Sequence, residues 1–134
     1  MHLLFFFFFV GCAQNKPHDS ANEHMHRVSH AELIKRFDDP KRDEQQRPEV
    51  VMKLLSPLAN LEVIDIGIGS GYFAKHLLDG GAFVTGADVD DKFLKFVTEK
   101  FSAQDYPRFK ILKIDFNDPK MKADFYDMAF TSNT

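Results

Sequence analysis

Leu61-Glu62-Val63-Ile64-Asp65-Ile66-Gly67-Ile68-Gly69-Ser70-Gly71-Tyr72-Phe73-Ala74-Lys75-His76-Leu77-Leu78 is the stretch that decides the fold. Leu61 to Ile66 is short and rich in β-branched residues, the pattern of a buried parallel strand. Gly67 to Gly71 reads as a tight turn, because glycine lets the backbone bend sharply and approach a ligand closely. Phe73, Ala74, Leu77 and Leu78 then share one face at helical spacing. Asp79-Gly80-Gly81 ends that helix with the residues a left-handed cap requires.

Downstream, Ala82 to Ala87 is expected to be the second strand, and Asp90 or Asp91 to cap the next helix. Phe93, Leu94, Val97 and Phe101 form its buried stripe, and Tyr106-Pro107 closes it. Phe109 to Ile114 reads as a third strand; after an Asn117-Asp118-Pro119 turn, Phe125 to Thr131 reads as a fourth. Upstream lies a helix from Pro48 to Leu55, with Val50, Val51, Leu54 and Leu55 on its apolar side and Ser56-Pro57 as its stop. A shorter amphipathic stretch, Ala31 to Phe37, is broken by Asp38-Asp39-Pro40. Strands alternating with helices imply an α/β fold: a Rossmann-like parallel sheet with right-handed crossovers and helices on both faces.

Ligands of such sheets bind at the carboxyl ends of the strands, where the acids fall here. Asp65 precedes the glycine turn, Asp88 ends the second strand, and Asp115 is expected to end the third. In a dinucleotide fingerprint, G-x-G-x-x-G, the third glycine would stand where this chain has Tyr72; instead it arrives one residue early, at Gly71. A carboxylate at the mouth of an anion-binding turn opposes a pyrophosphate. It suits a ligand carrying an ammonium and a sulfonium. Asp88 can accept from two ribose hydroxyls, a property that a nicotinamide and a sulfonium nucleoside share. Val89 offers adenine an apolar face.

The D-x-G-x-G-x-G run from Asp65 to Gly71 resembles motif I of class I S-adenosylmethionine (SAM)-dependent methyltransferases. The likeness extends from about Arg42 to the end of the chain, giving a partial methyltransferase domain at 42–134. It implies SAM as cofactor, held through Asp65, Gly67, Gly69 and Gly71. Asp88 would take the ribose, Asp115 the adenine amine, Phe116 the ring through its backbone, and Tyr72 the methionine or sulfonium region. It also implies methyl transfer to an unidentified acceptor, a small molecule being favoured, with no residue to name as base. Class I domains usually have seven strands in the order 3-2-1-4-5-7-6, so this sheet is expected to be incomplete, with about four. Catalysis by the chain alone would then be weak or absent. Strand four, with Met128, Ala129 and Phe130, would be an apolar edge through which chains could associate.

The first residues read as an address. Leu3 to Val10 are eight consecutive apolar residues, whereas a spanning helix needs about 20. Residues 1–11 fit an export signal, and Phe9-Val10-Gly11-Cys12 resembles a bacterial lipobox. That resemblance implies a lipid on Cys12 and a membrane-anchored protein on the periplasmic or outer surface. Translation from Met25 would give a cytoplasmic protein instead. Residues 12–41 then form a polar, histidine-rich tether and a short helix. His18, His24, His26 and His30 lack the paired spacing with an intervening acid that marks hydrolytic zinc sites, so no metal is expected. His24-Met25-His26 could fold over a cofactor.

Composition bounds the rest. With 134 residues, the chain is long enough for one small domain. Its single cysteine rules out an intrachain disulfide and a multi-thiolate zinc site. A formal net charge of −3 gives no electrostatic footprint for nucleic acid. Two other classes stay open: a non-catalytic lipoprotein that binds a metal or partner through its histidine-rich arm, and a fragment of an NAD(P)-dependent oxidoreductase.

Overall fold

The computed structural model describes residues 28–132. The export signal, Cys12, Met25, His18, His24 and His26 lie outside the described residues. Within them the order is α1 (His30–Phe37), α2 (Arg42–Gln46), α3 (Pro48–Leu55), β1 (Glu62–Ile66), α4 (Tyr72–Asp79), β2 (Phe83–Asp88), α5 (Asp91–Lys100), β3 (Phe109–Lys113) and β4 (Met128–Thr131).

Local chemistry sets most of these boundaries. Ser29 starts α1 with a capping box: its hydroxyl accepts from the Glu32 amide, and the Glu32 carboxylate accepts from the Ser29 amide. Pro48 opens α3, where its missing N–H is no loss. Asp90 caps α5 by accepting from the Lys92 amide at 2.8 Å. The short helix α2 carries no apolar stripe and has no signature in the sequence.

The four strands form one parallel sheet in the order β3-β2-β1-β4, so α4 and α5 are crossovers within βαβ units, as expected. The two faces are dressed unequally. Val63 and Val84 meet Ala74 and Leu77 of α4 and Leu94 and Val97 of α5 in the larger core. Ile64, Ala87 and Ile114 make a smaller cluster on the other face, closed by Leu112, Val89 and Tyr126. β4 begins at Met128, three residues later than the apolar run from Phe125 suggested, because its register pairs Met128 with Val63. Phe125 and Tyr126 therefore fall opposite residues that precede β1.

A glycine fixes how the turn after β1 packs on α5. Gly71 has φ +77°, and a Cβ placed there would lie 2.5 Å from the Phe101 ring. Gly71→Ala combines left-handed strain with overpacking, an expected loss of about 2–4 kcal/mol. Urea unfolding checks this; a loss below about 0.5 kcal/mol would show that the Phe101 ring yields freely.

Candidate functional site

β1 delivers Asp65 to the carboxyl end of the sheet, paired in register with Gly86 of β2 and Phe130 of β4. The side chain is 4% exposed. Burial, with the nearby Asp88 charge second, pushes its carboxyl up to about 7. The turn then runs over it. Gly67, Gly69 and Gly71 all have positive φ. The Gly67 and Ile68 amides donate to the Ala87 carbonyl at 2.8 and 3.1 Å, which ties the turn to the end of β2.

Asp88 makes the second tie. One carboxylate oxygen accepts from the Gly69 amide at 3.1 Å, the other from the Asp90 amide at 2.9 Å. Burial raises its pKa above the ordinary carboxylate value despite those bonds. The Val89 amide also acts on this carboxylate, which offers about four lone-pair sites, so about one remains for another donor.

Asp65, Gly67, Gly69 and Tyr72 line one cavity. Phe37, Arg42, Ile68, Ser70, Phe73 and Ser132 complete its wall. Gly71 is buried against Phe101 and supports the turn from behind. Val89 belongs to the smaller sheet cluster. Asp115 does not end a strand in register with Asp65 and Asp88. β3 stops at Lys113, and Asp115 turns into an isolated bridge with Asp118, where its carboxylate is ion-paired with Lys120 at 2.7 Å. Phe116 beside it is 82% exposed. Neither is among the residues lining the cavity, nor are Asp88 and Val89.

The amphipathic stretch from Ala31 to Phe37 forms the helix His30–Phe37, but the contacts by which this arm meets the turn are tertiary. The Arg42 guanidinium lies 4.4 Å from the Tyr72 ring centroid, and the Tyr72 hydroxyl donates to Asp43 at 2.5 Å. Burial, then the Asp43 bond, raise the Tyr72 pKa and keep that hydroxyl protonated. Lys100 of α5 donates to both Asp38 oxygens at 2.8 Å and to the Ser70 carbonyl at 3.0 Å. His30 meets Asp90 at 2.6 Å. These contacts link residues 29 to 62 positions apart, beyond the reach of periodicity or spacing.

A model of the methyltransferase domain family matches residues 63–134. The chain belongs to the methyltransferase domain family. Its sheet is also similar to that of a SAM-dependent methyltransferase from Aquifex aeolicus, at 25% identity and a TM-score of 0.68, covering 78% of this chain and 56% of that one. Coclaurine N-methyltransferase, solved with N-methylheliamine and S-adenosylhomocysteine, aligns at 12% identity and TM-score 0.65 over 84% of this chain and 37% of that one. Phosphoethanolamine N-methyltransferase 1 of Haemonchus contortus, solved with phosphoethanolamine and S-adenosylhomocysteine, aligns at 19% identity and TM-score 0.62 over 84% of this chain and 24% of that one. The chain thus spans little more than half the length of the first of these methyltransferases, and less of the others. Among curated proteins none matches.

The Asp65 carboxyl gives the free protein a defined pH dependence. Its folded pKa of about 7 lies above the ordinary carboxylate value of 3.8, so the folded state binds the extra proton between those limits. Stability from this group is present in acid and lost as pH rises through about 7. Thermal unfolding of wild type and Asp65→Asn should therefore diverge from about pH 4 upward, the variant gaining relative stability until about pH 8. Parallel curves across that range would contradict the buried carboxyl.

Proposed function

We propose that the cavity binds S-adenosylmethionine and that the chain is the cofactor-binding part of an enzyme that methylates a small-molecule acceptor. One observation carries the reading: a buried carboxyl, raised by desolvation, shares a cavity with a glycine turn at the carboxyl end of β1. An ammonium beside Asp65 would restore its charged form, whereas a pyrophosphate would face an acid already costly to ionise. Ser70 Oγ, buried and without a hydrogen-bond partner among the described residues, is a second sign that this wall is built for a polar ligand. Family membership supports the same cofactor.

When bound, this cofactor supplies a methyl group activated on a sulfonium. The chain's own part is to bind and orient. Asp65 takes the amino-acid end, and the left-handed backbone at Gly69 leaves room above the turn. Asp88, at the end of β2, would accept from a ribose hydroxyl while holding the Gly69 amide. Rate enhancement in such a site comes mainly from proximity and orientation. A net charge of −3 offers no electrostatic handle for nucleic acid, which is consistent with a small-molecule acceptor.

Calorimetry with S-adenosylhomocysteine and NADH tests the cofactor. Heat with the first and none with the second is expected, and the reverse would overturn the reading. Asp88→Ala should weaken S-adenosylhomocysteine binding by about 1–3 kcal/mol, the range for leaving hydroxyls unpaired. Unchanged affinity would remove the ribose role.

We propose separately that Cys12 carries a lipid. Radiolabelled palmitate should be incorporated by bacteria expressing the full chain and lost with Cys12→Ser. No label on the unsubstituted chain would favour translation from Met25.

A further inference from the structure

A histidine fastens the arm that covers the glycine turn. His30, the first residue of α1, meets Asp90 Oδ2 through Nε2 at 2.6 Å. Asp90 is the N-cap of α5, and its other oxygen accepts from the Lys92 amide. The two side chains are 32% and 35% exposed, so the pair is open to protons from solvent. The imidazole packs on the Phe93 ring with centroids 5.4 Å apart, and the Phe37 ring packs on the same Phe93 at 6.0 Å. Both ends of α1 are thus tied to α5: His30 to Asp90 and Phe93, and the C-cap Asp38 to Lys100.

What the two ties hold in place is Phe37. Its ring stands 3.5 Å from where a Cβ on Gly69 would lie, so it rests on the glycine turn itself. With the ring there, the cavity has a volume of about 60 Å³. Small-molecule sites run from about 300 Å³ upward. An amino-acid nucleoside cannot enter until α1 lifts, and the strength of its fastenings sets how often that happens.

We infer that the His30–Asp90 pair is a pH-sensitive latch, which holds α1 shut over the cavity while the imidazole is protonated and slackens when the proton leaves. The inference goes beyond the cofactor reading and stands without it. Histidine is the side chain whose charge ordinarily changes between about pH 5 and 8. A protonated imidazole gives Asp90 a charge-assisted hydrogen bond, whereas a neutral one gives at most a neutral donor, roughly half as strong. The carboxylate is the fixed half of the latch. Burial works against its ionisation, but the His30 bond and then the Lys92 amide outweigh burial and hold its pKa below the ordinary carboxylate value. The acids around the pair have partners of their own: Asp88 accepts from the Asp90 amide, Glu32 closes the capping box on Ser29, and Asp91 is ion-paired with Lys113. Lys92 adds positive charge on the Asp90 side. The latch is therefore tight in acid and loose in base.

Amide hydrogen exchange of the full chain reads the latch without a ligand. The Leu33 and Asp38 amides, bonded to the Ser29 and Ile34 carbonyls, report α1, and the β1 amides in the same sample report that the sheet is folded. After correction for intrinsic exchange, α1 protection in wild type should fall about twofold to fivefold between about pH 5.5 and 8.5, the range that a partly exposed ion pair supports. His30→Gln should start near the high-pH value of wild type and stay level. His30→Lys, which keeps a positive charge, should stay level at a higher value. Asp65 is the same in all three proteins, so its own titration cancels from the comparison. Stopped-flow association of S-adenosylhomocysteine should follow suit: slower in wild type than in His30→Gln at about pH 5.5, and equal at about pH 8.5. Wild-type α1 protection that does not change with pH overturns the latch, as does a His30→Gln profile parallel to wild type. So does association that His30→Gln fails to speed in acid. A chain that shows the exchange pattern but binds no S-adenosylhomocysteine overturns the cofactor reading and leaves the latch standing.

Discussion

A carboxyl group largely removed from water is the constraint around which the upper end of this sheet is arranged. Asp65 is placed there by β1, whose neighbours Val63 and Ile64 are buried on opposite faces and leave the strand no freedom to slip. A shift of one residue would send Ile64 and Asp65 to the wrong sides. The acid is therefore held in a poorly hydrated position by the packing of the whole sheet. Desolvation favours its protonated form, and Asp88 adds to this by repulsion. A site of this kind stores a preference for positive charge that is expressed only when a cation arrives.

The glycine turn and the arm convert that preference into a shaped cavity. The turn is hung from β2 by the Ala87 carbonyl and the Asp88 carboxylate, so its amides have fixed partners before any ligand binds. The arm is fastened across it by His30 to Asp90, Asp38 to Lys100, and Asp43 to Tyr72. Each of these polar links is at least partly open to solvent and individually modest in strength. Their value lies in geometry, since they bring Phe37 and Arg42 to the wall formed by Gly69 and Tyr72.

The sheet and the first two acids were legible in the sequence because they depend on short-range patterns. β-branched residues before a glycine turn, and a helical stripe after it, define β1 and α4 within eighteen positions. Asp88 followed from the same logic one βα unit later. Asp115 did not. Its place at the end of an apolar run suggested a strand terminus, but Lys120 and the Asp115 to Asp118 bridge turn the chain away first. The missing side chain of Gly71 also makes room for Phe101 thirty residues on, a packing role that spacing does not reveal. Arg42 and Ser70 could not be found by spacing: one depends on a tertiary stack with Tyr72, the other on what fails to touch it.

Proton release on ligand binding is the most direct probe of the buried acid. S-adenosylhomocysteine is titrated into the full chain at about pH 6 in buffers of different ionisation enthalpy. With Asp65 near 7 in the free protein, binding of an ammonium beside it should release close to one proton per site, and Asp65→Asn should abolish that release. Binding heats that do not depend on the buffer would contradict the account, because they would place the cofactor's positive charge somewhere other than on Asp65.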